Sequence, residues 1–256
     1  MTLTNQYPSL KDRVVLITGG ASGIGANMVE AFCRQQAIVA FIDILADEAE
    51  ALVAQLTATE GVRAPRYFQC DLRDISLLQA TINAIAELLG PIAVLLNNAG
   101  DDERHDFREV TVDYWDDRIA VNLRHYFFAA QAVYPYMQSL GYGSIINLGS
   151  MSWYARQGEM PSYTSAKAAV EGLTRGLARD MGLESIRVNT LVPGWVATPR
   201  QLEKRLSEDA QRHICEAQCL KRMVQPEDVA AMALFLAADD SQMCTSQHFI
   251  VDGGWV

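Results

Sequence analysis

Tyr163 and Lys167 stand four residues apart, and Ser150 precedes the tyrosine by thirteen. Residues i and i+4 share one face of a helix, so this spacing sets an ammonium beside a phenol. A phenol ionises near pH ~10 and must be brought toward the working pH before it can serve as a base. A neighbouring positive charge favours its ionised form. Ser150 ends an apolar run that reads as a strand, from which its hydroxyl can hold a substrate oxygen against the tyrosine. Such a trio supports proton transfer at that oxygen. An isolated Tyr-x-x-x-Lys is commonly a surface pair, and the features that precede this one in order give it weight.

The segment Thr18-Gly19-Gly20-Ala21-Ser22-Gly23-Ile24-Gly25 follows a strand and opens a helix. Glycines at 19, 23 and 25 let the backbone approach a pyrophosphate, and the helix N-terminus offers it free N–H groups. The same run could be an ordinary tight turn. Asp43 ends the next strand, eighteen residues after Gly25. An acid there can accept hydrogen bonds from both ribose hydroxyls of a dinucleotide and would repel a 2′-phosphate. No cation stands at Ala21, Ser22, Ile44 or Leu45 to compensate, so NAD is expected over NADP. The alternative for Asp43 is a helix N-cap. Asp71, with Leu72 beside it after the third strand, could hold the adenine amino group or cap the helix near 74. Asn97-Asn98-Ala99-Gly100 follows the fourth strand, and small and amide residues there would line the nicotinamide-ribose side of a crevice. Such a run can also be just a turn.

The elements that must position these residues alternate. Apolar runs at 14–18, 38–42, 67–70, 92–96, 144–148, 186–191 and 249–251 read as seven strands. Helical patterns lie between them, from about 24, over 46–58, 74–89, 111–139 and 162–182, and after Pro226. Continuous rather than alternating apolar runs mean that both sheet faces are buried. Intervening helices mean right-handed crossovers and a parallel sheet. The expectation is an α/β, Rossmann-type doubly wound fold, one domain over 1–256. The long stretch 193–225, with Pro193, Gly194 and Pro199, is expected to be a substrate loop at the carboxyl end of the sheet.

Composition removes other classes. The chain has 256 residues, half of them hydrophobic, with 21 Lys and Arg against 31 Asp and Glu, a net charge of −10. An acidic chain without a basic cluster is a poor partner for nucleic acid or anionic membranes. No run approaches the ~18–20 apolar residues of a spanning helix. Residues 1–10 lack the basic and apolar regions of a secretory leader, and the five cysteines form no disulfide-like framework. A cytoplasmic protein is expected. His213, Cys215 and Cys219 lack the paired C-x-x-C of structural zinc sites, and no metal is expected.

Taken together, the Gly-rich turn, Asp71, Asn97 to Gly100, Asn122, Ser150, Tyr163, Lys167 and Pro193-Gly194 resemble the short-chain dehydrogenase/reductase family over essentially the whole chain. The resemblance implies a seven-stranded parallel Rossmann sheet and a homotetramer. It implies Tyr163 as general acid/base, Ser150 as the substrate-orienting hydroxyl, and Lys167 as the group that binds the nicotinamide ribose and lowers the Tyr163 pKa. Asn122 would hold the water of a proton relay through Lys167. In the stretch that runs from Pro193 and Gly194 through Val196 to Thr198, Thr198 would meet the nicotinamide carboxamide.

Asn98 to His105, Tyr114-Trp115-Asp116, Val121 to His125, Ala217 to Lys221 and Asp252-Gly253-Gly254-Trp255 are similar to bacterial NAD-dependent sugar 1-dehydrogenases of the D-xylose type. These oxidise the anomeric carbon of an aldose to a lactone. The chain departs from them between Ser152 and Ser162 and across 199–215, which leaves the sugar open. Asp102, Ser152, Gln157 and Trp195, with Ser150 and Tyr163, are the expected substrate contacts. Arg104 and His105 could also reach the pocket, and an inward Arg104 would favour an acid substrate. Trp153 fits pocket or core, and Trp255 a subunit boundary. The alternatives are a dehydrogenase of a sugar acid of the 2-keto-3-deoxy aldonate type, a ketone or 3-oxoacyl reductase, and a non-catalytic NAD-binding protein.

Overall fold

The computed structural model describes residues 5–256. The first four residues, part of the segment read above for a leader, lie outside the described residues. Seven strands form: β1 (Val14–Thr18), β2 (Ile38–Asp43), β3 (Arg66–Gln69), β4 (Ile92–Asn97), β5 (Gly143–Leu148), β6 (Ile186–Pro193) and β7 (His248–Val251). They make one sheet in the order β3-β2-β1-β4-β5-β6-β7, and every neighbouring pair is parallel. The helices are α1 (Gly23–Arg34), α2 (Ala46–Thr57), α3 (Ile75–Leu89), α4 (Val112–Ile119), α5 (His125–Leu140), α6 (Pro161–Met181), α7 (Pro199–Lys204), α8 (Glu208–Ala217) and α9 (Pro226–Ala237).

Burial explains the unbroken apolar runs. In β1, Val15 and Ile17 face one core with Met28, Phe32 and Ala233 from α1 and α9. Val14 and Leu16 face the other, with Leu78 and Ile82 from α3 and Ala129 and Val133 from α5. A central strand thus loses both faces to helices, and each large aliphatic side chain buried contributes about 1.5–3 kcal/mol. The edge strands β3 and β7 keep exposed positions.

The strand order reverses at β1 and β4. The chain leaves β1 for β2 and β3 on one side, then crosses to β4 on the other. The loops after β1 and β4 therefore diverge and open a crevice at the carboxyl ends of the strands.

Two expectations are corrected. The single helix over 111–139 is broken: α4 ends at Ile119, a π-helical turn covers Ala120–Arg124, and α5 begins at His125. A π turn adds about one residue to a single turn, a shift too local for a coarse apolar pattern over 111–139 to mark. About half of the stretch 193–225 is helical, in α7 and α8, whose N-termini are capped by the side chains of Thr198 and Ser207. Ile214 is the one buried residue of α8, and α7 buries none. Among the described residues no helix is long and apolar enough to cross a membrane.

Candidate active site

A cleft of about 620 Å³ occupies the crevice at the strand ends. The site residues expected from the sequence line it, except Asn122 and Asn97, whose amide is buried at the end of β4 against the Tyr126 carbonyl and Asn147. Its first wall is the turn between β1 and α1. Gly19 there has a φ of +68°, open to glycine with little strain, and a Cβ at Gly25 would fall on the Gly19 carbonyl oxygen. Asn98, just past β4, clamps this turn by donating from Nδ2 to the carbonyls of Thr18 and Gly19 at 3.0 and 2.8 Å. No side chain caps the N-terminus of α1, so its backbone donors stay available to an anion.

Asp43 is buried at the end of β2. Its Oδ2 accepts from the Ala21 N–H at 2.9 Å, and its Oδ1 from Ile44 and Leu45 at 2.8 and 3.1 Å. It does not cap α2, whose N-cap is Leu45. A carboxylate has about four acceptor positions. Three are used, which leaves one, on Oδ2, for a ribose hydroxyl; bonding both hydroxyls would displace a backbone donor. An uncapped helix N-terminus, a glycine cradle and a buried acid at the end of β2 fit the pyrophosphate and ribose of a dinucleotide.

Asp71 does not cap a helix either. The cap of α3 is Asp74, which accepts from Leu77 N–H at 2.9 Å. Asp71 instead meets Arg73 at 2.6 Å, which holds its carboxyl below the usual range, and Arg73 also reaches Asp117 at 2.9 Å. Arg73 is a cation on the adenine side of the cleft that sequence reasoning missed, and two carboxylates neutralise it.

Tyr163 and Lys167 share one face of α6, and Ser150 follows β5. Ser150 Oγ accepts from the Ser152 N–H at 3.1 Å, which fixes its orientation. Burial pushes the Tyr163 phenol up to about 12, and the carboxylates of Asp102 and Asp101 add to the rise. A hydrogen bond with Ser150 and the Arg104 guanidinium act the other way. Lys167 is buried and does not sit against the phenol as the spacing suggests. Its Nζ donates to Tyr126 Oη at 2.8 Å and to the Leu148 carbonyl at 2.9 Å, 5.7 Å from the Tyr163 ring centre. Burial pushes Lys167 down to about 7. Lys167 thus gives its hydrogen bonds to Tyr126 and β5 and meets Tyr163 across the face of the ring.

Tyr126 is wholly buried, its ring edge-packed on His125 at 4.6 Å, and its hydroxyl lies 3.1 Å from the Leu148 carbonyl. Tyr126→Phe removes one acceptor from a buried ammonium. The expected loss is about 1–3 kcal/mol of stability, read as a lower urea midpoint at unchanged slope.

Asn122 sits in the π turn. Its Oδ1 accepts from the Asp101 N–H at 2.8 Å, and its Nδ2 donates to the Asp101 and Arg118 carbonyls at 3.1 and 3.0 Å. Both amide hydrogens are engaged, so the side chain fixes the loop after β4 instead of lining the cleft. The relay role implied for Asn122 cannot rest on those donors.

The substrate end of the cleft is polar. Asp102 accepts from Gln201 Nε2 at 3.0 Å, while Asp101 meets Arg118 and Arg200, each at 2.7 Å. Ser152 is buried and its Oγ has no partner, as is true of Gln201 Oε1. Gln157, Trp195 and Arg104 also line this end. Arg104 lies over the Trp195 ring at 6.0 Å from its centre. His105 faces away, its ring nitrogens 3.1 Å from Tyr114 Oη and 3.2 Å from Ser162 Oγ. Trp153 stacks on Tyr154 at 3.7 Å outside the cleft, and Trp255 packs edge-on to His213 at 6.3 Å. Sequence reasoning missed Arg118, Arg200 and Gln201, because charged and amide residues in loops carry no pattern that separates a pocket wall from a solvated surface. Among the described residues no group of three His, Cys, Asp or Glu is placed to hold a metal ion.

Known proteins match this arrangement along its length. The family profile described as Enoyl-(Acyl carrier protein) reductase covers residues 19–256. The chain is 46% identical to the "Probable galactose dehydrogenase GalD" of Rhizobium meliloti over 255 residues, 99% of each chain. It is 47% identical to the D-xylose 1-dehydrogenase of Caulobacter vibrioides over 249 residues, 97% of this chain and 98% of that one. A short-chain type dehydrogenase/reductase from Mycobacterium ulcerans superposes with a TM-score of 0.90 at 26% identity, covering 96% of this chain and 90% of the other. With a seven-stranded parallel sheet, a glycine-rich crevice and Ser150, Tyr163 and Lys167 gathered in it, the chain belongs to the short-chain dehydrogenase/reductase family.

Proposed function

We propose that the protein oxidises an aldose at C1 to the aldonolactone, with NAD as hydride acceptor and Tyr163 as general base. The observation that carries this reading is the company Tyr163 keeps. Its phenol and the Ser150 hydroxyl share one end of the cleft with Asp102, Ser152, Gln157 and Gln201 and with the flat face of Trp195. Closely set donors and acceptors beside one aromatic face suit a polyhydroxylated ring better than an acyl chain or a steroid. The likeness to a galactose dehydrogenase and a D-xylose 1-dehydrogenase supports the same class.

In this reading Ser150 donates to the anomeric oxygen and holds it against Tyr163, and the phenolate takes the hydroxyl proton. NAD, when bound, accepts the hydride that leaves C1. Lys167 is placed to hold the nicotinamide ribose, with Tyr126 and the Leu148 carbonyl fixing its stem. Asn122 keeps the loop of Asp101 and Asp102 in register with the catalytic end. Asp43 accepts from the adenosine ribose and repels a 2′-phosphate, which favours NAD over NADP. Gly19, Ser22, Gly23, Ile24 and Gly25 cradle the pyrophosphate. Asp71 and Leu72 flank the adenine. Asn98, Ala99, Gly100, Pro193, Gly194, Val196 and Thr198 close the nicotinamide side.

The test is NADH formation by purified protein with D-xylose, L-arabinose, D-galactose, L-fucose, D-arabinose and L-rhamnose at mildly alkaline pH. Strong turnover on one or two of them is expected. Silence on all six, with NADH still bound, would contradict the aldose reading and point to a sugar acid or ketone.

A further inference from the structure

Four arginines line the cleft, and three of them are locked to carboxylates. Arg73 holds Asp71 at 2.6 Å and Asp117 at 2.9 Å. Arg118 holds Asp117 at 2.5 Å and Asp101 at 2.7 Å. Arg200 holds Asp101 at 2.7 Å. Arg104 is different. Among the described residues it meets no carboxylate, although Asp101 and Asp102 stand three and two residues before it. Both acids are turned to Arg118, Arg200 and Gln201. The Arg104 side chain is half-buried, its guanidinium carbon 6.0 Å from the centre of the Trp195 ring. A guanidinium carries five donors in a planar fork that matches two adjacent oxygens. With no carboxylate on it, this fork is free to take a ligand that enters the cleft.

The same end of the cleft holds two more polar atoms without partners. Ser152 is 2% exposed and its Oγ is unsatisfied, and Gln201 Oε1 is buried and unsatisfied. Buried polar groups are nearly always paired. Arg104, Ser152 and Gln201 all line the cleft that Tyr163 opens into. The Ser152 and Gln201 oxygens are closed off from the cleft, whereas the Arg104 fork is accessible from it and suits an oxygen-rich ligand.

We propose that Arg104 is the residue that reads the end of the substrate remote from the reacting carbon, its fork donating to a pair of adjacent oxygens. The proposal rests on the aldose reading for the reacting end. The oxygen pair has two chemical sources. It is either two neighbouring hydroxyls of a neutral aldose or the carboxylate of its uronic acid. Arg104 is then a specificity-determining residue, and the neutral Gln157 and the indole of Trp195 shape the rest of the wall.

The experiment compares the wild type with Arg104→Met, which keeps an unbranched stem and removes the fork. NADH binding is measured first, and unchanged affinity shows that the variant is folded with its cofactor half intact. D-galactose and D-galacturonate are then titrated calorimetrically into each NADH-saturated protein, and both are assayed for oxidation with NAD. Loss of a charge-assisted pair is expected to weaken the better ligand by about 10- to 100-fold, seen as a higher Kd and KM, while the pH profile of kcat moves to higher pH because the Arg104 charge no longer favours the Tyr163 phenolate. Arg104-dependent binding of galacturonate identifies the carboxylate as the source, and Arg104-dependent binding of galactose alone identifies the hydroxyl pair. Arg104→Lys keeps the charge without the fork and is expected to recover only part of the loss. Affinities within twofold of wild type in Arg104→Met, or no binding of either sugar to the wild type, would overturn the proposal. A wild type that binds one of them through Arg104 yet oxidises neither, nor any aldose of the panel, would retain this proposal and remove the C1-oxidation reading.

Discussion

Tyr163→Phe is expected to lower turnover by about 10²–10⁴-fold while NADH binding persists. Phenylalanine keeps the ring that packs on α6 and deletes only the hydroxyl, so the loss measures proton transfer. The pH dependence is the second readout. Oxidation needs the phenolate. In the free protein burial and the acids at 101 and 102 hold this phenol at about 12, so below that value its ionised fraction rises about tenfold per pH unit. The rate of sugar oxidation should therefore climb with pH, and the residual rate of Tyr163→Phe should lack that climb. Positive charge brought next to the phenol shifts the curve to lower pH, and Arg104 already acts in that direction. A variant with near-normal turnover would remove Tyr163 as the base.

Replacing Asp43 is expected to reverse or erase the preference between NAD and NADP. Asp43→Asn keeps one acceptor oxygen, enough for the N–H groups of Ile44 and Leu45, turns an NH2 toward the N–H of Ala21 and removes the charge. It should weaken NADH by about 10- to 100-fold, the worth of a charge-assisted hydrogen bond, and weaken NADPH less or not at all. Asp43→Ala should do the same and in addition lower the melting temperature, because three backbone donors lose their acceptor. Cofactor fluorescence titrations with both dinucleotides read the ratio directly. A wild type that prefers NADPH would contradict the role given to Asp43, and would turn attention to Arg73 as the cation on that side of the cleft.

The strands were legible because a central parallel strand is buried on both faces, and β1 writes this as five consecutive apolar or small residues. The glycine turn, Asp43, Ser150, Tyr163 and Lys167 were legible because each sits at a strand end or on a helix face, where spacing fixes direction. What spacing could not show was decided by distant partners. Lys167 turns to Tyr126, 41 residues away, and not to Tyr163. The side chain of Asn122 folds back onto Asp101 because a π turn interrupts a helix whose apolar period looks continuous. The helices of 199–217 were hidden because they bury almost nothing. Arg104 and His105 are neighbours in one loop, and only three-dimensional packing sends the first into the cleft and the second to Tyr114 and Ser162.

The central claim is hydride removal from C1 of a sugar, and isotope transfer tests it most directly. The aldose that gives the strongest turnover is prepared with deuterium at C1 and incubated with the protein and NAD. The prediction is that the deuterium appears in the reduced nicotinamide, that the sugar is recovered as its lactone or aldonate, and that Tyr163→Phe slows both by about 10²–10⁴-fold. Deuterium retained at C1 of an oxidised product would place the chemistry at another carbon and contradict it.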